Sequence, residues 1–325
     1  MMETRNAPPA GRLQQDIMAA TEQFHGEGAA STAPFPPPFT DSSGSSLGPQ
    51  LTAQHLADFR RDGYLRVDNL TSREEIDSLI AAYDRLFTEK RGWENGALFD
   101  MVARDDPKKE LSLPQMLWPS RYEPLLRQTR LYASAYSLAQ QLLGPKLVNV
   151  LEHAISKPAA KGAATPWHQD DAFSRPGSGF VEAISIWMPL QDVDVGSGCM
   201  QYIRGSNHGP LFDHRSPNND PRIHGLELVA PPDLTHCTPI PLPAGSCVIH
   251  HSRTIHSAGP NTSNQPRRAY ILGYSVQSKP HQRIHKDYPW NLEKQTARDE
   301  RELAAMSPLR RSWRRFQKMI RGYGL

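Results

Sequence analysis

The stretch Thr165-Pro-Trp-His168-Gln-Asp170-Asp171 sets an imidazole and a carboxylate two residues apart. In extended backbone such side chains leave the same face, so His168 and Asp170 can aim at one point. A second imidazole from elsewhere would complete a set of two histidines and one carboxylate on a metal. That set leaves three positions open and suits non-haem Fe(II) oxygen chemistry. A His-x-Asp pair alone carries little weight in a chain with 13 histidines. A second stretch, Gly245-Ser-Cys-Val-Ile-His250-His251-Ser-Arg-Thr-Ile-His256-Ser-Ala-Gly-Pro-Asn261, adds to it, and Arg267 follows eleven residues after His256. When 2-oxoglutarate chelates iron through its C1 carboxylate and keto oxygen, its C5 carboxylate is left buried and charged. A guanidinium meets that group with two charge-assisted hydrogen bonds, which lysine cannot reproduce. Several positions compete. His250 and His251 are adjacent and leave a strand on opposite faces, and the same alternation lets only one of Arg267 and Arg268 point inward. Asp171 would replace Asp170 only on a bulged strand.

The elements that would carry these residues are short strands. Segments 146–157, 182–190, 198–204, 245–251 and 268–277 are rich in β-branched and aromatic residues and are separated by Gly, Pro, Asn or Asp. In 183–190, Ile184, Ile186 and Met188 alternate with Ser185 and Trp187, and many short strands of this kind imply a sandwich or barrel. Helices come first. Thr52 can cap one that ends at Gly63, Tyr64 to Val67 is strand-like, and Thr71-Ser-Arg-Glu74 fits a capping box for a helix over 72–90. Another helix is expected over 123–143, stopping at Gly144-Pro145. Residues 1–49, with PFPPPF and SSGSS, bury too little apolar surface to order and read as a disordered tail, with room for a short amphipathic helix over Gln14 to Phe24. From Ser307 the pattern is helical again, with Leu309, Trp313, Phe316 and Ile320 as a docking stripe beneath a solvated basic face, and a binding face for acidic lipid, an anionic substrate or a partner as the rival reading.

The run Ile155-Ser-Lys-Pro158, Trp167-His-Gln-Asp170, Ser185-Ile-Trp187-Met-Pro-Leu190, Gly198-Cys-Met, Arg204-Gly-Ser-Asn-His208, His256-Ser-Ala-Gly-Pro-Asn261 and Arg267 resembles the phytanoyl-CoA dioxygenase family over about residues 51–277. The resemblance implies a mainly β fold with flanking helices: a double-stranded β-helix (jelly roll, cupin-like) with the N-terminal helices outside. It implies that His168, Asp170 and His256 bind Fe(II), that Arg267 holds the C5 carboxylate of 2-oxoglutarate, and that Trp187 lies near this cosubstrate. It implies O2-dependent hydroxylation of an unactivated C–H in a small molecule (a natural-product intermediate or an acyl derivative), with succinate and CO2 as coproducts. Desaturation, epoxidation and ring closure use the same oxidant. Relatives often carry a serine two residues after the distal histidine, where this chain has Ala258, so Thr165 or another hydroxyl would supply the second hydrogen bond; Ser257 is the adjacent candidate, though in regular strand it faces the other way. Related halogenases lack the carboxylate, and its retention as Asp170 points to oxygenation.

Gln169 at the mouth of the site and Arg204 in its Gly-Ser-Asn turn are candidate substrate contacts, with a structural role as Arg204's rival. Residues 90–120, with Trp93, Phe99 and Trp118, would form the variable part of the pocket. Asp192 and Asp194 suit a turn, and Cys199 and Cys247 suit the core. Three cysteines without a CxxC pair argue against a disulfide framework or a thiolate zinc site. A net charge of +3 gives no global pointer to nucleic acid. No apolar run spans a bilayer and the start lacks a secretory leader, so a soluble cytoplasmic protein is expected. The domain boundaries expected are a tail over 1–49, an oxygenase domain over 50–290 and a basic helical extension over 291–325. A catalytically silent jelly-roll binding protein, or a hydrolase or isomerase on the same ligands, would have no need for both the triad and Arg267.

Overall fold

The computed structural model describes residues 48–174, 180–277 and 287–323. The expected tail and its Gln14–Phe24 helix fall almost wholly outside the described residues. Helix α1 (Ala53–Asp62) starts and stops where its sequence signals lie. The Thr52 hydroxyl accepts from the His55 N–H while His55 Nδ1 accepts from the Thr52 N–H. Gly63 ends it at φ 81°, and a Cβ there would meet Thr254 Oγ1 at 2.6 Å. Helix α2 (Arg73–Thr88) buries Ile76, Leu79, Ala82, Tyr83 and Leu86.

The expected capping box is displaced by one residue. Ser72 is the cap, and the Thr71 hydroxyl donates to Glu75 instead. The Glu75 carboxylate accepts the N–H groups of Arg130 and Leu131 and so caps the next helix. The helix expected over 123–143 is broken. A 3-10 turn spans Pro124–Gln128, and Thr129, in extended conformation, caps α3 (Arg130–Leu143) through its hydroxyl. A residue whose side chain satisfies the first N–H groups of a helix cannot also sit within one.

Among the described residues thirteen strands follow or interleave: β1 (Tyr64–Val67), β2 (Leu98–Asp100), β3 (Pro114–Leu117), β4 (Leu147–Lys157), β5 (Thr165–His168), β6 (Phe180–Pro189), β7 (Met200–Ile203), β8 (His214–Arg215), β9 (Glu227–Leu228), β10 (Cys237–Ile240), β11 (Cys247–His251), β12 (His256–Ala258) and β13 (Arg267–Gln277). Seven form one antiparallel sheet, ordered β1-β11-β6-β13-β4-β3-β2, and four form a second, ordered β10-β7-β12-β5. The core is shared between them: Trp187, Val248, Ala269 and Ile271 from the large sheet pack with Met200, Tyr202 and Ala258 from the small one. This is the jelly-roll sandwich. Helix α3 packs against β4, β6 and β13, and the Tyr83 hydroxyl of α2 donates to the Ala269 carbonyl, so the helices cover the outer face of the large sheet. On that face the fully buried Glu152 accepts from Ser120, Arg127 and Tyr270.

Helices α4 (Pro289–Leu292), α5 (Ala297–Ala305) and α6 (Pro308–Tyr323) close the described chain. The docking stripe expected on α6 is corrected: Leu309 is 67% exposed and Phe316 37%, while Trp313 is half-buried against Phe316. The Ile320 side chain lies outside the described residues. Cys199 and Cys247 are buried, and Asp194 caps the turn at Ser197, as expected. No described helix is long and apolar enough to cross a membrane.

Candidate metal centre

His168 ends β5 and His256 opens β12, and the two are register partners in the small sheet. Adjacent strands therefore set their imidazoles side by side, with ring centroids 4.2 Å apart. Asp170 is not on the strand. Backbone stays extended through Gln169 and then enters a 3-10 turn at Asp170–Phe173, which tips the carboxylate back towards the imidazoles. Asp170 Oδ1 lies 3.6 Å from His168 Nε2 and 3.5 Å from His256 Nε2. Ligand atoms of the three residues all fall within 4.8 Å of one another, in a grouping matched by no other cluster among the described residues.

Both histidines are oriented by their other nitrogen. Nδ1 of His168 is 2.8 Å from the Pro166 carbonyl, and Nδ1 of His256 is 2.8 Å from that of Thr254. A carbonyl only accepts, so each Nδ1 carries the proton and each Nε2 presents a lone pair. Burial, with His168 and His250 beside it, pushes the His256 imidazole well down and keeps it neutral. Burial alone would raise Asp170, but His256, His168 and His250 outweigh it and hold the carboxyl well below the usual range. A neutral His256 and an ionised Asp170 are the states a divalent metal requires of its ligands.

The large sheet supplies a second pair. Ser185 of β6 and His250 of β11 are register partners, and both engage the remaining carboxylate oxygen, Asp170 Oδ2, at 2.6 and 3.2 Å. His250 Nδ1 in turn lies 3.0 Å from the Tyr202 hydroxyl. Oδ2 is thus held by the large sheet while Oδ1 faces the two histidines. His250 stood in the sequence only as a rival ligand. The role of Ser185 was missed, although its alternation with Trp187 put it on the inner face.

A cavity of about 740 Å³ opens from this cluster and is also lined by Thr165, Trp187, Ala258 and Arg267. Arg267 opens β13. Its guanidinium is 1% exposed and stacks 5.3 Å from the Trp187 ring, and its Nε and Nη1 have no hydrogen-bond partner among the described residues. Among the described residues no carboxylate pairs with it, and burial lowers its pKa to about 9. Arg268 faces outward to Asp84. The return from β12 to β13 is fixed by the buried Asn261, which donates to the carbonyls of Pro158 and Gln265. Lys157, the register partner of Arg267, donates to the Ala258 and Gly259 carbonyls. A buried cation facing a cavity with two donors free calls for an anion of matching shape. A dicarboxylate reaching from the metal cluster to Arg267 meets that need. Thr165 is the register partner of Ala258, so its hydroxyl stands beside the position that lacks a serine.

Three candidates fall away from the cavity. Gln169 is fully buried and ties loops together, donating to the Pro210 and Arg253 carbonyls and accepting from the Phe212 N–H. In extended backbone it points opposite to His168, which puts it in the protein interior. Arg204 is exposed and sits 3.9 Å from Asp62, so it acts at the surface. Ser257 is buried in β12 on the face opposite its neighbours His256 and Ala258, both of which line the cavity. Of residues 90–120, Met101, Gln115 and Leu117 reach the cavity, whereas Trp93 stacks on Arg301 and Trp118 lies beside Arg121. The mouth is completed by residues whose role the sequence did not suggest, among them Tyr288, Asn291, Lys294 and Arg298.

A family model described as phytanoyl-CoA dioxygenase matches residues 59–269. The chain belongs to the phytanoyl-CoA dioxygenase family. It is 34% identical over 155 residues to an L-proline trans-4-hydroxylase of Streptomyces griseoviridis, covering 42% of this chain and 58% of that one. It is 25% identical over 247 residues to a probable alpha-ketoglutarate-dependent hypophosphite dioxygenase of Stutzerimonas stutzeri, covering 70% of this chain and 79% of that one. Among solved structures it is similar to EvdO2 from Micromonospora carbonacea var. aurantiaca, crystallised with 2-oxoglutarate. The TM-score there is 0.61 at 32% identity, with 75% of this chain and 98% of that one covered. As a family member the chain is a 2-oxoglutarate-dependent dioxygenase.

Proposed function

We propose that this chain hydroxylates an unactivated C–H of a small molecule, with His168, Asp170 and His256 holding Fe(II), and with Arg267 and Thr165 gripping the C5 carboxylate of 2-oxoglutarate. The observation that carries the reading is the buried guanidinium of Arg267, with two unpaired nitrogens, in the same cavity as a cluster of two imidazoles and a carboxylate. With iron, 2-oxoglutarate and O2 bound, the centre supplies an oxidant able to take hydrogen from an unactivated C–H; the substrate gains one oxygen atom, and the cosubstrate takes the other as it becomes succinate and CO2. The protein's part is positional. Ser185 and His250 hold one oxygen of Asp170, so the other is left to the metal. The Pro166 and Thr254 carbonyls fix the tautomers. Trp187 flanks Arg267 and keeps water from its charge. The intact Asp170 leaves no ligand position for chloride and favours oxygen transfer.

The test is succinate release from 2-oxoglutarate in air, with and without Fe(II), for the wild type and for Asp170→Ala and Arg267→Met. Iron-dependent succinate lost in both variants is the expected result. Iron-independent turnover, or full activity in Asp170→Ala, would overturn the assignment.

A further inference from the structure

Beyond Phe173, the cavity wall changes character. Phe173 packs edge-on against the His168 ring with centroids 6.1 Å apart, and its other neighbour is His224, at 6.4 Å and nearly parallel. His224 rests on Phe99, and Arg298 lies over that same ring. His153, from β4, faces this cluster with Nδ1 2.8 Å from the Gln115 amide nitrogen. The amide N–H donates there, which places the His153 proton on Nε2. Three polar atoms of the cluster have no hydrogen-bond partner among the described residues: His153 Nε2, His224 Nδ1 and Arg298 Nε. Gln115, His153, His224 and Arg298 all line the cavity that contains the metal cluster. Burial keeps both imidazoles neutral, with Arg298 adding to the effect.

The His224 loop is rigidly mounted. Lys294 Nζ donates to the carbonyls of Ile223, His224 and Gly225 and to Ser216, and the Gly225 N–H donates to the Met101 carbonyl. Unsatisfied buried polar atoms cost free energy, so three of them on one preorganised wall of a cavity point to a ligand. The charges around them indicate its type. Arg298 is paired with Asp299 and Glu302, Arg253 with Asp171, and Arg314 with Glu302. These arginines are already matched to carboxylates, in contrast to Arg267.

Resting on the oxygenase reading above, we propose that Gln115, His153, His224 and Arg298 recognise the substrate, and that the substrate is an uncharged molecule bearing several hydroxyl or carbonyl oxygens. Phe173 offers it an apolar surface between this polar wall and the metal. A fatty acyl-CoA thioester fits poorly, because the phosphates of its coenzyme A would meet arginines already paired with carboxylates. A free amino acid fits poorly for the same reason.

The experiment uses the full chain and three probe sets: uncharged polyols and glycosides, free amino acids, and fatty acyl-CoA thioesters. Two readouts are taken: the shift in Tm of the metal-free protein, and the stimulation of succinate release by the Fe(II)-loaded protein. Shifts and stimulation from the uncharged set are expected. His153→Leu and His224→Leu should weaken both by about tenfold, the effect of one lost hydrogen bond to a buried neutral group. His153→Gln, which retains a donor, should recover part of the effect. In all three variants the 2-oxoglutarate-dependent Tm shift and the unstimulated succinate release should be unchanged. Responses to acyl-CoA or amino acids only, no response to the uncharged set, or equal responses in the leucine variants would overturn the proposal while leaving the oxygenase reading intact. Absence of any iron-dependent succinate release would instead defeat the oxygenase reading itself.

Discussion

Replacing Arg267 by methionine should destroy cosubstrate binding and yet raise the stability of the ligand-free protein. The guanidinium is 1% exposed, and its fall from the ordinary arginine value to about 9 corresponds to about 5 kcal/mol of burial cost. Methionine fills similar volume without charge. It forfeits the stacking on Trp187, worth about 1 kcal/mol, and leaves a gap costing about 1–2 kcal/mol. The balance is a gain of about 2 kcal/mol, or roughly 4–8 °C in Tm. Lys157, whose ammonium Arg267 disfavours, gains further. Against this, two charge-assisted hydrogen bonds to a carboxylate are lost, together about 4 kcal/mol, so the Kd for 2-oxoglutarate should rise roughly a thousandfold. Differential scanning calorimetry of the apoprotein, repeated anaerobically with Fe(II) and graded 2-oxoglutarate, measures both effects. A variant that is less stable as apoprotein and still gains stability from 2-oxoglutarate would refute the reasoning, because Arg267 would then be a structural cation with a partner of its own.

His250→Phe removes one of the two groups holding Asp170 Oδ2, and iron affinity measured by titration should fall about 10–100-fold, with His250→Gln recovering part of it; unchanged affinity would exclude the positioning role. Thr165→Val should raise the KM for 2-oxoglutarate about tenfold at unchanged kcat, whereas Ser257→Ala should do neither. His153 is pushed down from 6.5 to about 4, so the unfolded chain takes up this proton first: stability is complete above pH 6.5 and is lost as the pH falls from 6.5 towards 4. Urea midpoints at pH 7, 5 and 4 should show that loss, of up to about 3 kcal/mol from His153, and His153→Leu should remove that share while the fall due to His214 and His224 remains. Glu152→Gln leaves Arg127 without its carboxylate in a buried network and should cost about 3–5 kcal/mol, read from the same urea curves.

What the sequence made legible was what alternation and spacing encode. His168 and Arg267 lie on inward faces, alternation allowed only one of Arg267 and Arg268 to do so, and the spacing from His256 together with the family resemblance picked Arg267; Asp170 reaches the same point through a 3-10 turn that period two did not show. The helix ends at Thr52 and Gly63 were legible because capping is a local interaction. Where long-range partners compete for a side chain, the reading failed. Glu75 left its own helix start to cap α3, and Thr129 broke a helix that periodicity alone would have continued. Gln169, expected at the mouth of the site, is instead absorbed by loop carbonyls at Pro210 and Arg253, which nothing local in the sequence indicates. Ser185, His250 and His153 sit on inner faces and were recoverable from alternation. Their partners lie 15, 80 and 38 residues away, and only the fold brings them together. The α6 stripe shows the reverse error: a periodic apolar pattern predicts a helix, but not that anything covers it.

The polar groups of the cavity divide by charge, and the division accounts for one pocket serving two small molecules. Near Trp187 the buried cation Arg267 has no protein anion, so an uncharged ligand there would leave it unsatisfied. At the other end two neutral imidazoles are unsatisfied, while the arginines around them are paired with carboxylates, so an anion there would gain little. A dicarboxylate therefore prefers the first end and an uncharged, oxygen-bearing molecule the second, with the metal cluster between them. Exchanging the charge at either end should exchange the preference. An Arg298→Met variant removes one of the three unpartnered polar atoms of the substrate end and should weaken recognition of the uncharged probes, while Arg267→Met should leave that recognition intact and abolish turnover. Equal loss of substrate binding in both variants, measured by probe-induced Tm shifts, would show that the two ends are not independent.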